Sequence, residues 1–520
     1  MDVPLRSRTV STSGGRALAF AAFGLFAMAI MAAAPGSPFQ PLLTWQGQPT
    51  GPLTALARVL GLDDLHGNAL LVTSVAVSAL AAVSFLHLLR EAFRGRVSLR
   101  AVVILVVGAH VALLLLPLLF SRDAYSYAFY GRIAGVYGGN PYVQTPLDHS
   151  GDLLWNYVGA KWVDTPAVYG PAWSTLSAGL SKFYPRPVDH VEAYRLLAIA
   201  ASLATSAAIV WVVRRERPDR AAFALAAFGA NPVVLFHAAG SGHNDLLVAL
   251  AIVSAIGLVA RRHERAAVAV LAVGALVKAV ALLPLVLLIV WAIARRPEDQ
   301  RRATLVSYGG LAATIALAFA VPYLQLHDPT LGMLELASHE GWLAPSASIE
   351  RIVNLVSFET VGGLVRIGFA ALLVGLFVAL CRDVWRRAAS IEPRELATSW
   401  AWALLLLTLL GPVLLPWYVV WTLPLVWALP RTGRTALVTV GALLGVTLWS
   451  AEPLRFPGGF TVNVIVAQWV VVPLFVGLLV RSVRDLRARL AIGMSLGDEG
   501  PPVLAAATAP EREPVAGAAG

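Results

Sequence analysis

A single cysteine, Cys381, excludes an intrachain disulfide, and no Cys/His spacing suited to zinc occurs anywhere in the chain. Charge is nearly as scarce. Only 13% of the residues are Asp, Glu, Lys or Arg, about half of the roughly 25% usual in soluble domains, and no stretch is left over for a soluble domain of useful size. What fills the chain instead is apolar: 58% of its 520 residues are hydrophobic and mean hydropathy is +0.71. Apolar runs of about 20 residues, enough to cross a hydrocarbon core of roughly 30 Å, recur from residue 17 to residue 480. The composition identifies an all-α polytopic membrane protein.

The net charge of +10 does not point to nucleic acid, because the basic residues are scattered over short loops between apolar spans. They form clusters at residues 6–16, 90–100, 214–220, 261–265, 295–302, 382–394, 431–434 and 481–489. The positive-inside rule assigns all of these to the cytoplasm, Cys381 with its neighbours Arg382, Arg386 and Arg387 included. Arg6, Arg8 and Arg16 precede an apolar stretch ending Ala32-Ala33-Ala34, which has the outline of a signal peptide. Its length favours an uncleaved first span. Spans are expected near 17–35, 68–89, 101–120, 194–213, 221–239, 245–260, 303–322, 361–380, 436–450 and 462–480.

Two longer apolar stretches, 266–294 and 398–430, must go out and come back for this topology to close. Each hairpin leg then has roughly 15 residues, short for a full crossing at about 1.5 Å per residue. Gly274, Lys278 and Pro284 punctuate the first stretch, and Gly411, Pro412 and Pro416 the second. Proline removes a helix donor, and the freed carbonyls need protein or water, so such breaks line cavities. The expectation is a bundle of about 12–14 transmembrane helices over residues 1–492 with both termini inside. Residues 493–520, rich in Ala, Pro, Gly and Glu, read as a disordered cytoplasmic tail.

The remaining polar chemistry lies in three outer segments. The first, 121–193, opens Ser121-Arg122-Asp123-Ala124-Tyr125-Ser126-Tyr127 just past an apolar run and continues through Gly131-Arg132, Asn140-Pro141-Tyr142, and Asp164 to Pro171. Prolines and a glycine around Tyr169 imply a fixed turn, and 172–184 a short interfacial helix. The second holds Asn231-Pro232, His237 and Gly240-Ser241-Gly242-His243-Asn244-Asp245. The third, 323–360, contains His327, Asp328, Glu335, His339, Glu340, Trp342, Glu350 and Arg351.

An ionisable group kept at membrane depth is costly and marks a functional site by default. Asp123 beside Arg122 is also readable as half of a surface ion pair, and the five tyrosines between Tyr125 and Tyr142 as an interfacial belt; neither reading requires Arg132 or Asn140-Pro141-Tyr142. Capping alone explains one of His243, Asn244 and Asp245, not three, and together they suggest a polar cavity lining. Lys278 is the one charge in an apolar stretch of about 30 residues. Snorkelling is its bland reading, and a hairpin tip or cavity, where an ammonium neutralises a phosphate, its functional one. Pro416-Trp417-Tyr418 with Trp421 divides between interfacial anchor and substrate wall. His110 reads as a hydrogen-bonded core histidine.

These motifs, in this order, resemble the GT-C class of polytopic glycosyltransferases and, within it, the actinobacterial polyprenol-phosphomannose-dependent α-mannosyltransferases, over roughly residues 60–480. The resemblance implies a GT-C-like bundle in the cytoplasmic membrane, with an extracytoplasmic active site on short loops. It implies a polyprenyl-phosphate sugar donor, most simply of mannose, a glycan or glycolipid acceptor, and no nucleotide sugar. The family's base, an acid in the first large outer loop, maps onto Asp123, which would accept the acceptor's proton during an inverting displacement. Lys278, Arg132 and His243 would then meet the leaving phosphate, Tyr125, Tyr142 and Tyr169 the sugars, and Asn140 and Asp164 their hydroxyls. Asn244, Asp245, Trp417 and Tyr418 complete the expected substrate site. Some members of the class use a divalent metal, for which this sequence shows no closed ligand set. A secondary transporter or lipid flippase shares the broken helices and the mid-span cation, and a catalytically inactive scaffold is a third reading.

Overall fold

The computed structural model describes residues 11–41, 51–184, 186–324, 344–356, 359–429, 431–449, 465, 469–470 and 472–498. Among them every regular element is a helix, with no strand. The helices are α1 (Thr12–Ala33), α2 (Pro52–Val59), α3 (Gly67–Phe93), α4 (Leu99–Leu113), α5 (Asp123–Gly135), α6 (Pro171–Phe183), α7 (Pro187–Glu216) and α8 (Ala221–Gly229). They continue as α9 (Asp245–Val259), α10 (Glu264–Val277), α11 (Leu282–Ala294), α12 (Glu298–Ala320), α13 (Pro345–Val356), α14 (Glu359–Arg386), α15 (Pro393–Leu410), α16 (Arg431–Trp449) and α17 (Val472–Asp498). Among the described residues five helical segments, Thr12–Ala33, Gly67–Phe93, Pro187–Glu216, Glu298–Tyr323 and Val361–Arg386, are long and apolar enough to cross a membrane. The expected span at 221–239 is bent by 44° where α8 gives way to a π-helix, Val233–Ala239. Proline in position 232 forbids a continuous α ladder there, and Asn231 bridges the break by accepting from the Val233 amide at 2.9 Å and donating to the Ala227 carbonyl at 3.2 Å.

Both apolar stretches expected to turn back do so. Glu264, at the start of α10, meets Arg295 and Arg296, just past α11, at 3.3 and 3.1 Å, so the two legs return to one end with Lys278 at the tip between them. In the second hairpin the Thr398 hydroxyl of α15 donates to the Ala428 carbonyl at 3.1 Å. Its returning leg consists of two 3-10 turns, Pro416–Trp421 and Leu423–Leu425, because Pro416 and Pro424 rule out a regular α-helix.

The basic clusters collect at one end of the bundle. Arg220 and Arg434 both lie over the Phe93 ring, at 4.0 and 5.1 Å, Arg261 lies over Trp211 at 3.5 Å, and Arg301 over Trp385 at 5.4 Å. Arg387 pairs with Asp383, and Arg489 of α17 reaches the Ser399 hydroxyl at 3.0 Å. The polar motifs occupy the other end. Of the segment 323–360, Glu350 pairs with Arg366 at 2.7 Å, and His327 through Trp342 lie outside the described residues. So do part of the expected 462–480 span and the tail beyond Asp498.

Helix α5 is seated on α6 through small residues. Gly131 and Gly135, one turn apart, face Ser177, Ala178 and Ser181, and the Ser181 hydroxyl donates to the Gly131 carbonyl at 3.1 Å. A methyl group on Gly131 would stand 2.4 Å from the Ser177 carbonyl oxygen. Gly131→Ala is therefore expected to destabilise the protein by about 1–3 kcal/mol, the usual cost of overpacking. A thermal melt of the purified protein checks this; an unchanged midpoint would show that the two helices are not packed this closely.

Candidate active site

Two chain breaks bring Asp123 and His243 together. After α4 ends at Leu113, the chain runs irregularly to Phe120, which has a left-handed backbone (φ 49°), and Asp123 then opens α5, with its amide held by the Ser121 hydroxyl at 3.1 Å. A carboxylate in the first turn faces the positive end of the helix. The π-helix ends in Gly240-Ser241-Gly242. Gly242 has φ 76°, a conformation glycine adopts without penalty, and the turn is closed by the His243 amide bonding to the Ala238 carbonyl at 2.9 Å. His243 and Asn244 are thereby presented at the N-terminus of α9, whose first residue is Asp245.

Asp123 and His243 meet across this junction, with Nδ1 of His243 3.4 Å from Oδ2 of Asp123 and 3.4 Å from the Tyr127 hydroxyl. The imidazole is fully buried and stacks on Trp417, ring centres 3.8 Å apart and planes 19° apart. Two residues on, Oδ1 of Asp245 accepts from the Lys278 ammonium and from the Trp421 indole, both at 2.7 Å. Lys278 sits over the rings of Tyr418 and Trp421 at 4.6 and 5.3 Å, and those two rings stack on one another at 4.1 Å. The tips of both hairpins and the His243-Asn244-Asp245 turn thus form one cluster. Asp245 has no exposed side-chain surface, while Asp123 keeps 21% and Lys278 12%. A cleft of about 170 Å³ opens beside Lys278, walled by Val168, Tyr418, Trp421, Leu407 and the turn from Gly411 to Val413.

Burial pushes the Asp123 carboxyl up, but the hydrogen bond and charge of His243, the Ser121 hydroxyl and the Lys278 ammonium outweigh it and hold the group below the usual carboxylate range. Burial and the Asp123 charge push the phenols of Tyr127 and Tyr169 well above their usual value, so both stay protonated as donors. Nε2 of His243, both amide atoms of Asn244 and Oδ2 of Asp245 are buried without a hydrogen-bond partner in the protein. Buried polar atoms are rarely left so, and three consecutive residues of this kind leave capacity for a polar ligand. The arrangement supplies an ionised carboxylate in the same cluster as an ammonium that, with aromatic walls, lines a partly open cleft. Among the described residues no three His, Cys, Asp or Glu side chains converge as a metal site requires.

Of the residues singled out in the sequence, Asp123, His243, Asn244, Asp245, Lys278, Trp417 and Tyr418 meet in this cluster. Tyr169 lies at its edge, its ring 4.8 Å from that of Tyr127. Others are engaged elsewhere. Arg132 pairs with Asp152 at 2.7 Å, and Tyr137 donates to the same carboxylate. Asn140 donates to the Tyr323 carbonyl at 2.8 Å, and its oxygen accepts from the Tyr142 amide at 3.0 Å. The Tyr142 hydroxyl donates to the Tyr169 carbonyl at 2.7 Å and pairs with Ser174 at 2.9 Å. Tyr125 packs on Tyr157 at 4.9 Å, and Asp164 is exposed. Tyr127 and Trp421, which the sequence offered only as neighbours of stronger motifs, are in direct contact with the cluster, Tyr127 with His243 and Trp421 with Asp245. Their signal was spacing: each stands one helical turn from a nominated residue, Asp123 and Trp417 respectively.

Known proteins similar to this chain are mannosyltransferases. Alpha-(1->6)-mannopyranosyltransferase A of Mycobacterium tuberculosis is 29% identical over 358 residues, 65% of this chain and 66% of that protein. Alpha-(1->6)-mannopyranosyltransferase B of Corynebacterium glutamicum is 31% identical over 146 residues, 27% of this chain and 24% of that protein. The A protein of the same organism is 29% identical over 178 residues, 33% of this chain and 36% of the relative. The matched parts thus span just under two thirds of the first relative and far less of the others. No solved structure matches the chain. The family described as alpha-(1->6)-mannopyranosyltransferase, N-terminal domain, matches residues 18–295, more than half of the sequence and all of the cluster except Trp417, Tyr418 and Trp421, and the chain belongs to that family.

Proposed function

We propose that the protein is a glycosyltransferase that moves a mannosyl residue from a polyprenyl-phosphate donor to a glycan or glycolipid acceptor at the outer face of the cytoplasmic membrane. The observation that carries this reading is the clustering of an ionised Asp123 with the Lys278 ammonium, which itself lines a partly open cleft, at the end of the bundle opposite the basic clusters. The positive-inside rule puts those clusters in the cytoplasm and the cleft outside. The relatives, alpha-(1->6)-mannopyranosyltransferases by name, suggest the sugar and the α-(1→6) linkage.

Asp123 accepts the proton of the acceptor hydroxyl as its oxygen attacks the anomeric carbon in line. The bond from that carbon to the phosphate oxygen breaks, and its electron pair leaves with polyprenyl phosphate. Inversion with an α product requires a β-linked donor. The charge that develops on the leaving phosphate falls to Lys278, which in this pocket acts with little competition from water. Tyr418 and Trp421 fix the ammonium in place, and their rings with Val168 form the apolar wall for the sugar.

The reading is tested with purified full-length protein, labelled polyprenyl-phosphate mannose and an α-mannoside acceptor. The expected result is a labelled α-(1→6) product. Reconstituted protein that moves a solute or lipid across vesicles and transfers no sugar would instead identify a transporter or flippase, the other class that uses broken helices around a buried cation.

A further inference from the structure

The sequence suggested His243 for the phosphate end of the reaction, but the structure seats it on the carboxylate. We propose that His243 is the positioning residue of the general base: its Nδ1–H holds Oδ2 of Asp123, which leaves Oδ1 aimed at the acceptor hydroxyl. The inference rests on the reading of Asp123 as that base. Three observations carry it. Nδ1 lies 3.4 Å from Oδ2, a length at which ligand-free catalytic pairs often stand before substrate tightens them. The ring cannot turn away, because it is fully buried and stacked on Trp417 at 3.8 Å, and its main chain is fixed by the Gly242 turn. The Lys278 ammonium, the partner better suited to phosphate, is bonded to Asp245 on the far side of the same turn.

The Tyr127 hydroxyl lies 3.4 Å from the same Nδ1. A single N–H serves one strong acceptor, and the negatively charged carboxylate outcompetes a neutral phenol. The groups facing the pair from the packed elements are Tyr127 of α5, Tyr169 of the turn preceding α6, His237 of the π-helix, Asp245 of α9, Lys278 of the first hairpin tip and Tyr418 of the second. Lys278 and His243 favour ionised Asp123. Loss of the His243 hydrogen bond leaves burial less opposed, so the carboxyl protonates at higher pH.

Two variants separate ring from donor. His243→Phe keeps a ring against Trp417 and removes the N–H, whereas His243→Asn removes the ring and returns an N–H near the Nδ1 position. The expected result for Phe is a fall in kcat of about 10²-fold, the scale of a misaligned catalytic group, with the acid limb of kcat/KM moved to higher pH and donor KM within about twofold of wild type. Asn is expected to recover at least a tenth of the wild-type rate with the acid limb back near its wild-type position. A Phe variant with raised donor KM and an unmoved acid limb overturns the proposal in favour of phosphate binding, and Asn failing to restore the limb overturns it equally. Should Phe not fold, His243→Gln, whose amide nitrogen falls near the Nε2 position, replaces it in the same comparison. Asp123→Asn, run alongside, keeps the two levels apart: full activity there removes the base itself, whatever His243 does.

Discussion

Asp123→Asn is expected to lower kcat by about 10²–10⁴, the usual contribution of a general base, and to leave donor KM nearly unchanged. Asparagine has almost the shape of aspartate, and its amide oxygen still accepts a hydrogen bond from His243, so binding and fold should survive. What it lacks is the ability to take a proton at neutral pH. The wild-type profile carries its own sign. Because His243, Ser121 and Lys278 hold the folded carboxyl below its ordinary value, the base is ionised throughout the neutral range. Activity should decline only as pH falls through that lowered value, and the decline should vanish from the residual activity of the variant. Initial rates with labelled donor across pH decide it. Transfer by the variant at the wild-type rate would discard the mechanism and leave the membership of the family untouched.

Much of the framework was legible because membrane insertion leaves few choices. Runs of apolar residues give the helices, arginines give the ends, and the two stretches too long for one crossing and too short for two had to break where Gly274–Pro284 and Gly411–Pro416 interrupt them. Lys278 illustrates the strength of that constraint: isolation in an apolar stretch was enough to put it at a hairpin tip. The break between α8 and the π-helix was less visible. The 221–239 run reads as one span by hydropathy, and only Asn231-Pro232 hints at the 44° bend that turns His243 inward.

Pairings across the bundle were not legible, because a single sequence does not say which loop faces which. Arg132 was assigned to phosphate on charge alone, whereas Asp152, twenty residues on, meets it at 2.7 Å. Burial raises the cost of each charge, and the Leu154 amide, the Tyr137 hydroxyl and Arg132 offset that cost, holding Asp152 below its ordinary range. Asn140 and Tyr142 likewise looked like sugar ligands, yet their polar atoms are engaged in fixing the loop before α6. His243 and Asp123 are 120 residues apart, and no spacing rule connects them. The shared clue was chemical: an imidazole and a carboxylate, each beside a helix start at the same end of the bundle.

The Lys278–Asp245 pair yields the other large effect, and it needs a double variant because stability and donor use change together. Lys278→Ala removes the ammonium and strands the fully buried Asp245 carboxylate. Breaking a buried pair from one side typically costs about 3–5 kcal/mol, so a lower melting temperature is expected together with a loss of about 10²-fold or more in kcat/KM for the donor. Lys278→Arg keeps the charge and should be much milder in both respects. Lys278→Ala combined with Asp245→Asn removes both charges, and the amide oxygen introduced in place of the Asp245 carboxylate still accepts from the Trp421 indole. The stranded charge is gone, so the melting temperature should climb back toward wild type, while donor kcat/KM stays low because nothing positive meets the departing phosphate. Recovery of transfer in the double variant, or equal kinetics for the Ala and Arg variants, would mean that Lys278 only balances Asp245. The phosphate would then have to be met by another group. Neither outcome follows from charge counting alone, since the pair is neutral in the resting protein and its ammonium is of use to the reaction only if phosphate competes with Asp245 for it.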